Sequence, residues 1–174
     1  MRKLAAAALL AALATEGCAR RPRPRVELTD ESSGELAHMI QAGDPAAAVQ
    51  LLKGFYDVEQ GTWRWTAGHF SVALRPPPES LEKGAALVFR FTIPDIVLKR
   101  LPRIQVSAKA GEKALEPETF SSSGEHVYKK FVPASAMRGE AVAVDFTLDP
   151  FCAAGTLDPR ELGVVASSFG FETK

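Results

Sequence analysis

The sequence predicts an all-β protein: an antiparallel β-sandwich or jelly roll of about seven or eight strands, with a short N-terminal helical pair. Two observations predict it. From Trp63 onward apolar residues recur at every second position, and the runs that carry this pattern are short and separated by turn signals. A third sets the N-terminal boundary, because only a stretch ahead of Gly54 has helical spacing.

The runs follow in chain order. Phe70, Val72 and Leu74 alternate with His69, Ser71 and Ala73. Leu87, Phe89, Phe91 and Ile93 alternate with Val88, Arg90 and Thr92. Ile104, Val106 and Ala108 alternate with Gln105, Ser107 and Lys109, and Val142, Val144, Phe146 and Leu148 with Ala143, Asp145 and Thr147. Each run turns one apolar face to a core and one polar face to water. A last strand, Leu162 to Glu172, is expected to carry Val165, Phe169 and Phe171 on one side. Turn signals stand between the runs at Ala67-Gly68, Pro76-Pro77-Pro78, Ala110-Gly111-Glu112-Lys113, Ser121 to Gly124 and Arg138-Gly139. Pro117 marks the strand near Leu115 to Phe120 as an edge.

The helical pair is read over residues 31–53. Leu36, Met39 and Ile40 share one face of the first helix. In the second, Asp44 is the N-cap, Pro45 the first helical residue, Val49 and Leu52 face inward, and Gly54 is the stop. The loop Pro94 to Pro102, with Ile96, Val97, Leu98 and Leu101, is apolar enough to fold back over one open end of the sandwich.

The chain of 174 residues begins with Arg2-Lys3 and an apolar run from Leu4 to Ala14 built only of Leu and Ala. As a helix that run would rise ~16 Å, about half a bilayer's hydrocarbon core, which suits a signal-peptide core rather than a membrane span. Gly17-Cys18 directly behind it resembles the lipobox of bacterial lipoproteins, although Thr15 and Glu16 depart from the usual aliphatic and small residues. That resemblance implies cleavage before Cys18, acylation of its thiol, and an Arg/Pro tether behind it. The alternative is cleavage after Ala14 and soluble secretion, which frees Cys18 to pair with Cys152. The expected organisation is therefore a signal peptide (1–17), an anchor and tether (18–30), a helical clip (31–53) and a β-sandwich (54–174), in the periplasm or on the outer membrane.

Formal net charge is +0, but Arg20, Arg21, Arg23 and Arg25 cluster at the start. From Val26 to Lys174 there are 15 Lys and Arg against 20 Asp and Glu, a net of −5. An acidic body argues against nucleic acid as a partner, because phosphate binding needs a concentrated cationic surface. His38, His69 and His126 lie in unrelated segments, and the latter two fall on positions read as polar and solvated. No metal-ligand spacing, nucleophile elbow, phosphate loop or cofactor motif is present in the sequence, so no cofactor and no catalytic residue are expected.

Two motifs bracket the sandwich: Gly54-Phe55-Tyr56-Asp57-Val58-Glu59 followed by Arg64-Trp65, and Asp158-Pro159-Arg160-Glu161-Leu162-Gly163-Val164. With the strand pattern they resemble the accessory β-sandwich domain, reminiscent of carbohydrate-binding modules, that is appended to some bacterial glycosyltransferases. The resemblance spans about residues 54–174. It implies a sandwich fold and a non-catalytic envelope protein that binds a glycan or polysaccharide; a scaffold that binds another envelope protein is the alternative, and a glycan hydrolase a more distant one.

Trp63, Trp65 and Tyr56 are the candidate ligand-binding residues. Trp63 and Trp65 are two apart and share a strand face, and pyranose C–H faces stack on flat rings. The charged residues of the motifs are candidates for structural ion pairs that close the first strand on the last, Arg160 with Glu59 or Asp57 and Arg64 with Asp158.

Overall fold

A computed structural model describes residues 36–173. The expectations for the signal peptide, Cys18, the tether and the start of the helical clip lie outside those residues.

The protein is an all-β antiparallel sandwich. Its strands are β1 (Met39–Gln41), β2 (Leu51–Glu59), β3 (Trp63–Leu74), β4 (Ala85–Ile93), β5 (Ile104–Ala110), β6 (Lys113–Ala114), β7 (Glu118–Phe120), β8 (Gly124–Val132), β9 (Val142–Asp149) and β10 (Val165–Glu172). Helical turn α1 (Ser80–Lys83) precedes β4, and α2 (Asp95–Leu98) follows it.

The two layers are joined through β3. Its first residues, Arg64 and Trp65, pair with β10, whereas His69 to Leu74 pair with β9 on the same edge. The strand therefore leaves one layer and enters the other. One layer runs β1–β10–β4–β8, and the other runs β2–β3–β9–β5 with β6 and β7 beyond.

The core shows that these layers face each other. Phe70 stacks on its β9 neighbour Phe146 at 5.0 Å, and Phe89 stacks on its β10 neighbour Phe169 at 4.5 Å. Across the gap Phe70 meets Phe89 edge-on at 5.5 Å, although β3 and β4 share no hydrogen bonds. Stacked pairs within layers and tilted contacts between them are both favourable ring geometries. The strict alternation of β9 places Val142, Val144, Phe146 and Leu148 in this core and leaves Ala143, Asp145, Thr147 and Asp149 exposed. In α2, Val97 is fully buried while Leu98 and Leu101 pack on the core, so the apolar loop does close one end.

Four sequence expectations differ from the structure. In the described part of 31–53 the helical pair is reduced to one member: Met39–Gln41 is a strand, and Pro45–Gln50 is a six-residue 3-10 helix that stops short of Leu51. Asp44 does cap that helix, accepting from the Ala46 N–H at 2.8 Å, with Pro45 at its start. Val49 and Leu52 nevertheless point outward, 70 % and 52 % exposed. At the end of the helix buried Gln50 is bound to the segment ahead of β1 and to β3, accepting from the Ala37 N–H and donating to the Ala37 and Ala73 carbonyls. Phe55, wedged between Phe70 and Phe169, holds the following residues extended.

Gly54 is not a helix stop. It lies inside β2 at φ 75°, where any side chain would strike Phe70 and the His69 carbonyl, and the β2–β3 register shifts on either side of it. In β10, Val165 does not share a face with Phe169 and Phe171. A bulge between Ala166 and Ser168 inserts one residue, which sends Val165 outward opposite Thr92 and Phe169 inward opposite Phe89. His126 is half-buried rather than free in solvent: one side of its ring lies against Phe91 and Phe120, and its Nε2 is 2.8 Å from the Ser122 carbonyl oxygen in an exposed contact.

Candidate functional site

The two bracketing motifs meet at one end of the molecule. Gln60 and Gly61, both at positive φ, turn β2 into β3 and set Glu59 opposite Trp63. From the loop ahead of β10, Asp158 accepts the Arg160 backbone N–H and Nε through Oδ1, each at 2.9 Å, and a terminal guanidinium nitrogen through Oδ2 at 3.1 Å. The guanidinium also reaches Glu59 Oε1 at 3.3 Å and covers the Tyr56 ring at 4.9 Å. Hydrogen bonds from the Arg160 side chain and backbone hold the Asp158 carboxyl below the usual range, and the same side-chain bonds raise the Arg160 pKa in return.

Arg64 does not take the Asp158 pairing expected of it. It donates to the Ala42 carbonyl at 2.8 Å and the Tyr56 carbonyl at 2.9 Å, and so ties β2 to the end of β1. Asp57 is exposed and has no ion pair among the described residues. Beyond the arginines, Thr66 exchanges backbone bonds with Gly163 and Val164, and Glu161 accepts from the Gly68 N–H at 2.8 Å. The second motif is thus a strap that seats β10 on β3.

The three candidate aromatics are all half-buried. Trp65 and Tyr56 pack on the core, and Trp63 meets Trp65 edge-on at 6.4 Å. Arg160 already occupies one face of Tyr56. These rings are brought together, but Tyr56 and Trp65 are engaged by the protein itself.

A second arrangement offers a freer ring. Phe131, on the outward face of β8, is 63 % exposed, the only exposed Phe, Tyr or Trp among the described residues. It stands opposite Ala86 on β4, which in turn stands opposite Glu172 on β10. A row of small residues, Gly84, Ala85 and Ala86, floors a groove of about 500 Å3 with Phe131 as one wall. Lys129 and Glu172, bound to each other at 2.6 Å, form another wall, and Glu79 and Lys83 stand at the mouth. Neither Glu79 nor Lys83 has an ion pair among the described residues, so their polar atoms face solvent.

Sequence reading missed this groove because it did not find β8. The strand alternates in direction but not in polarity. His126, Tyr128, Lys130 and Val132 point inward, and Glu125, Val127, Lys129 and Phe131 outward, so each side mixes apolar and charged residues. The available signal was Tyr128-Lys129-Lys130-Phe131-Val132, rich in strand-forming residues just after a Ser/Gly turn.

Cys152 is a free, buried thiol whose pKa is raised by burial, and its backbone bridges to Leu162. Among the described residues no group of three or more His, Cys, Asp or Glu side chains is placed to hold a metal ion.

No family model matches the chain, and no curated protein matches it. Solved structures give weak likenesses. A cycloisomaltooligosaccharide glucanotransferase from Paenibacillus sp., complexed with cycloisomaltoheptaose, is 11 % identical with a TM-score of 0.39 over 78 % of this chain and 18 % of its own. CBM51-2 of Clostridium perfringens ZmpB, in complex with GlcNAc, is 6 % identical with a TM-score of 0.34, over 78 % of this chain and 28 % of the other. A CBM4 structure is 14 % identical with a TM-score of 0.32 over 83 % and 88 %. The chain thus spans less than a third of the first two.

Proposed function

We propose that this chain is a non-catalytic, exported glycan-binding protein whose contact surface is the Phe131 groove. One observation carries the reading: an exposed, flat ring stands over a floor of small residues and is ringed by charged side chains able to bond hydroxyl groups. A pyranose presents C–H groups on its face and hydroxyls on its rim, and so matches such a surface. A larger groove of about 560 Å3, lined by Leu36, Arg75, Pro76, Pro78, Leu81, Gly139 and Glu140, contains no aromatic ring to stack on. Export rests on the Leu/Ala run and membrane anchoring on Cys18, both read from the sequence.

The test is calorimetric titration with soluble envelope polysaccharides and peptidoglycan fragments. Binding by the parent chain that weakens at least tenfold in Phe131→Ala, and not in Trp63→Ala, supports the reading. Equal loss in both variants, or no binding to any glycan, removes it. Incorporation of labelled palmitate by the parent and not by Cys18→Ser tests the anchor separately.

A further inference from the structure

We propose that the outer edge of β8 pairs antiparallel with the same edge of a second copy of this chain, joining two sandwiches through one continuous sheet. A free strand edge presents unpaired N–H and C=O groups and is a template for another strand. Among the described residues β8 is paired with β4 alone. That pairing runs through nine consecutive residue pairs, Ala85–Val132 to Ile93–Gly124, with no register shift.

Among the described residues β1, β2, β6 and β7 also have one unpaired edge, but β1, β6 and β7 are only two or three residues long, which leaves β2 as the long strand to compare. β2 pairs only with β3, and three register shifts and the left-handed Gly54 break its line. Bulges of this kind protect an edge from further pairing. β8 has none, and no proline lies within it.

The side chains select the partner and the register. Glu125, Val127, Lys129 and Phe131 form the outward row, and Val127 is 40 % exposed. With a two-fold axis through Val127, antiparallel pairing sets Val127 against the second copy's Val127. Glu125 then faces the second copy's Lys129, and Lys129 faces the second copy's Glu125. Opposite charges placed directly across a strand pair are favourable, and like charges there are not. Lys129 keeps access to Glu172 on its other side, because its side chain is 54 % exposed. Inward-pointing Tyr128 and Lys130 stay bound to the Glu116 carbonyl and Glu118 carboxylate of their own chain. On the glycan reading, both Phe131 rings lie on one face of the joined sheet, eight residue steps or about 27 Å apart along the strands.

Sedimentation equilibrium over a range of concentrations, without any glycan, tests the pairing independently of that reading. The parent chain is expected to dimerise, Glu125→Lys to weaken the dimer about tenfold, and Glu125→Lys combined with Lys129→Glu to restore it. Under mild oxidation Val127→Cys is expected to form a disulfide-linked dimer, and Phe131→Cys is not. A parent that stays monomeric at every concentration, or a Val127→Cys chain that cross-links no faster than Phe131→Cys, overturns the proposal. Circular dichroism establishes that each variant is folded.

Discussion

The Phe131 ring rests on the backbone of Gly84: a Cβ built on that glycine would lie 2.8 Å from the ring's Cζ and closer still to the Val132 carbonyl oxygen. The tip of the ring is thereby held against the chain, while the residue as a whole stays 63 % exposed. A side chain held this way loses little conformational freedom when a ligand stacks on it.

Gly84→Ala tests that support. The residue sits at φ 75°, so alanine meets both backbone strain and the collision. The variant is expected to lose more than about 1 kcal/mol of stability in urea titrations. Its glycan affinity should fall as the ring is displaced. Phe131→Ala, at an exposed site, is expected to change stability by less than about 0.5 kcal/mol.

Tyr128 gives the fold an alkaline limit. Its hydroxyl donates to the Glu116 carbonyl at 2.9 Å, and burial, followed by the Glu118 and Glu116 charges, pushes its pKa up from 10.0 to about 12. The folded state holds this proton more tightly than the unfolded state does. Stability from this group is therefore full below pH 10, falls as pH rises, and is gone above about 12. Tyr128→Phe is expected to cost about 1 kcal/mol at neutral pH through the lost hydrogen bond. It should also flatten the decline between pH 10 and 12, as followed by thermal melts.

Asp158 acts at the acid end with the opposite sign. The Arg160 hydrogen bonds lower its pKa below 3.8, so its contribution is present above that value and is lost as pH falls through the folded-state pKa. Arg160→Met is expected to lower the melting temperature at pH 7 and to shrink the fall in melting temperature below pH 4. It also uncovers the Tyr56 ring, which a change in Tyr56 resonances by NMR would register.

Phe89 is the centre of the core. It contacts Phe70, Phe91, Phe146 and Phe169, which come from both layers. Phe89→Ala is expected to cost about 3–5 kcal/mol in chemical denaturation. Phe55→Ala, half-buried at the rim, should cost less and should loosen β2 selectively in hydrogen exchange.

The strands that were legible in the sequence are those with water on one side and core on the other. In β5 and β9 the alternation of residue type follows the alternation of burial residue by residue. β8 was not legible because its inward Lys130 reaches an ion pair with Glu118 while its outward Phe131 stays exposed, so polarity no longer reports direction. The stretch around Val49 and Leu52 misled in the opposite sense. Its helical spacing and Asp44-Pro45 start are real, but Gln50 and Phe55 find partners in other strands that outweigh local propensity. The bracketing motifs were visible as sequence, and their charges were expected to close one end of the sandwich. Arg64 choosing two carbonyls over Asp158 depends on how near β1 comes, which spacing does not encode.

The sequence by itself determined the all-β class, the positions of most core strands and the residues that fill the core, because a period of two requires one face to be buried. Tertiary structure alone decided that β3 passes between layers, that a bulge at Ser167 reverses the face of Val165, and that Arg160 covers Tyr56 while Phe131 stands free. Each of these depends on which strands become neighbours. A choice of neighbour is made by packing and pairing across tens of residues, and no local pattern in the chain records it.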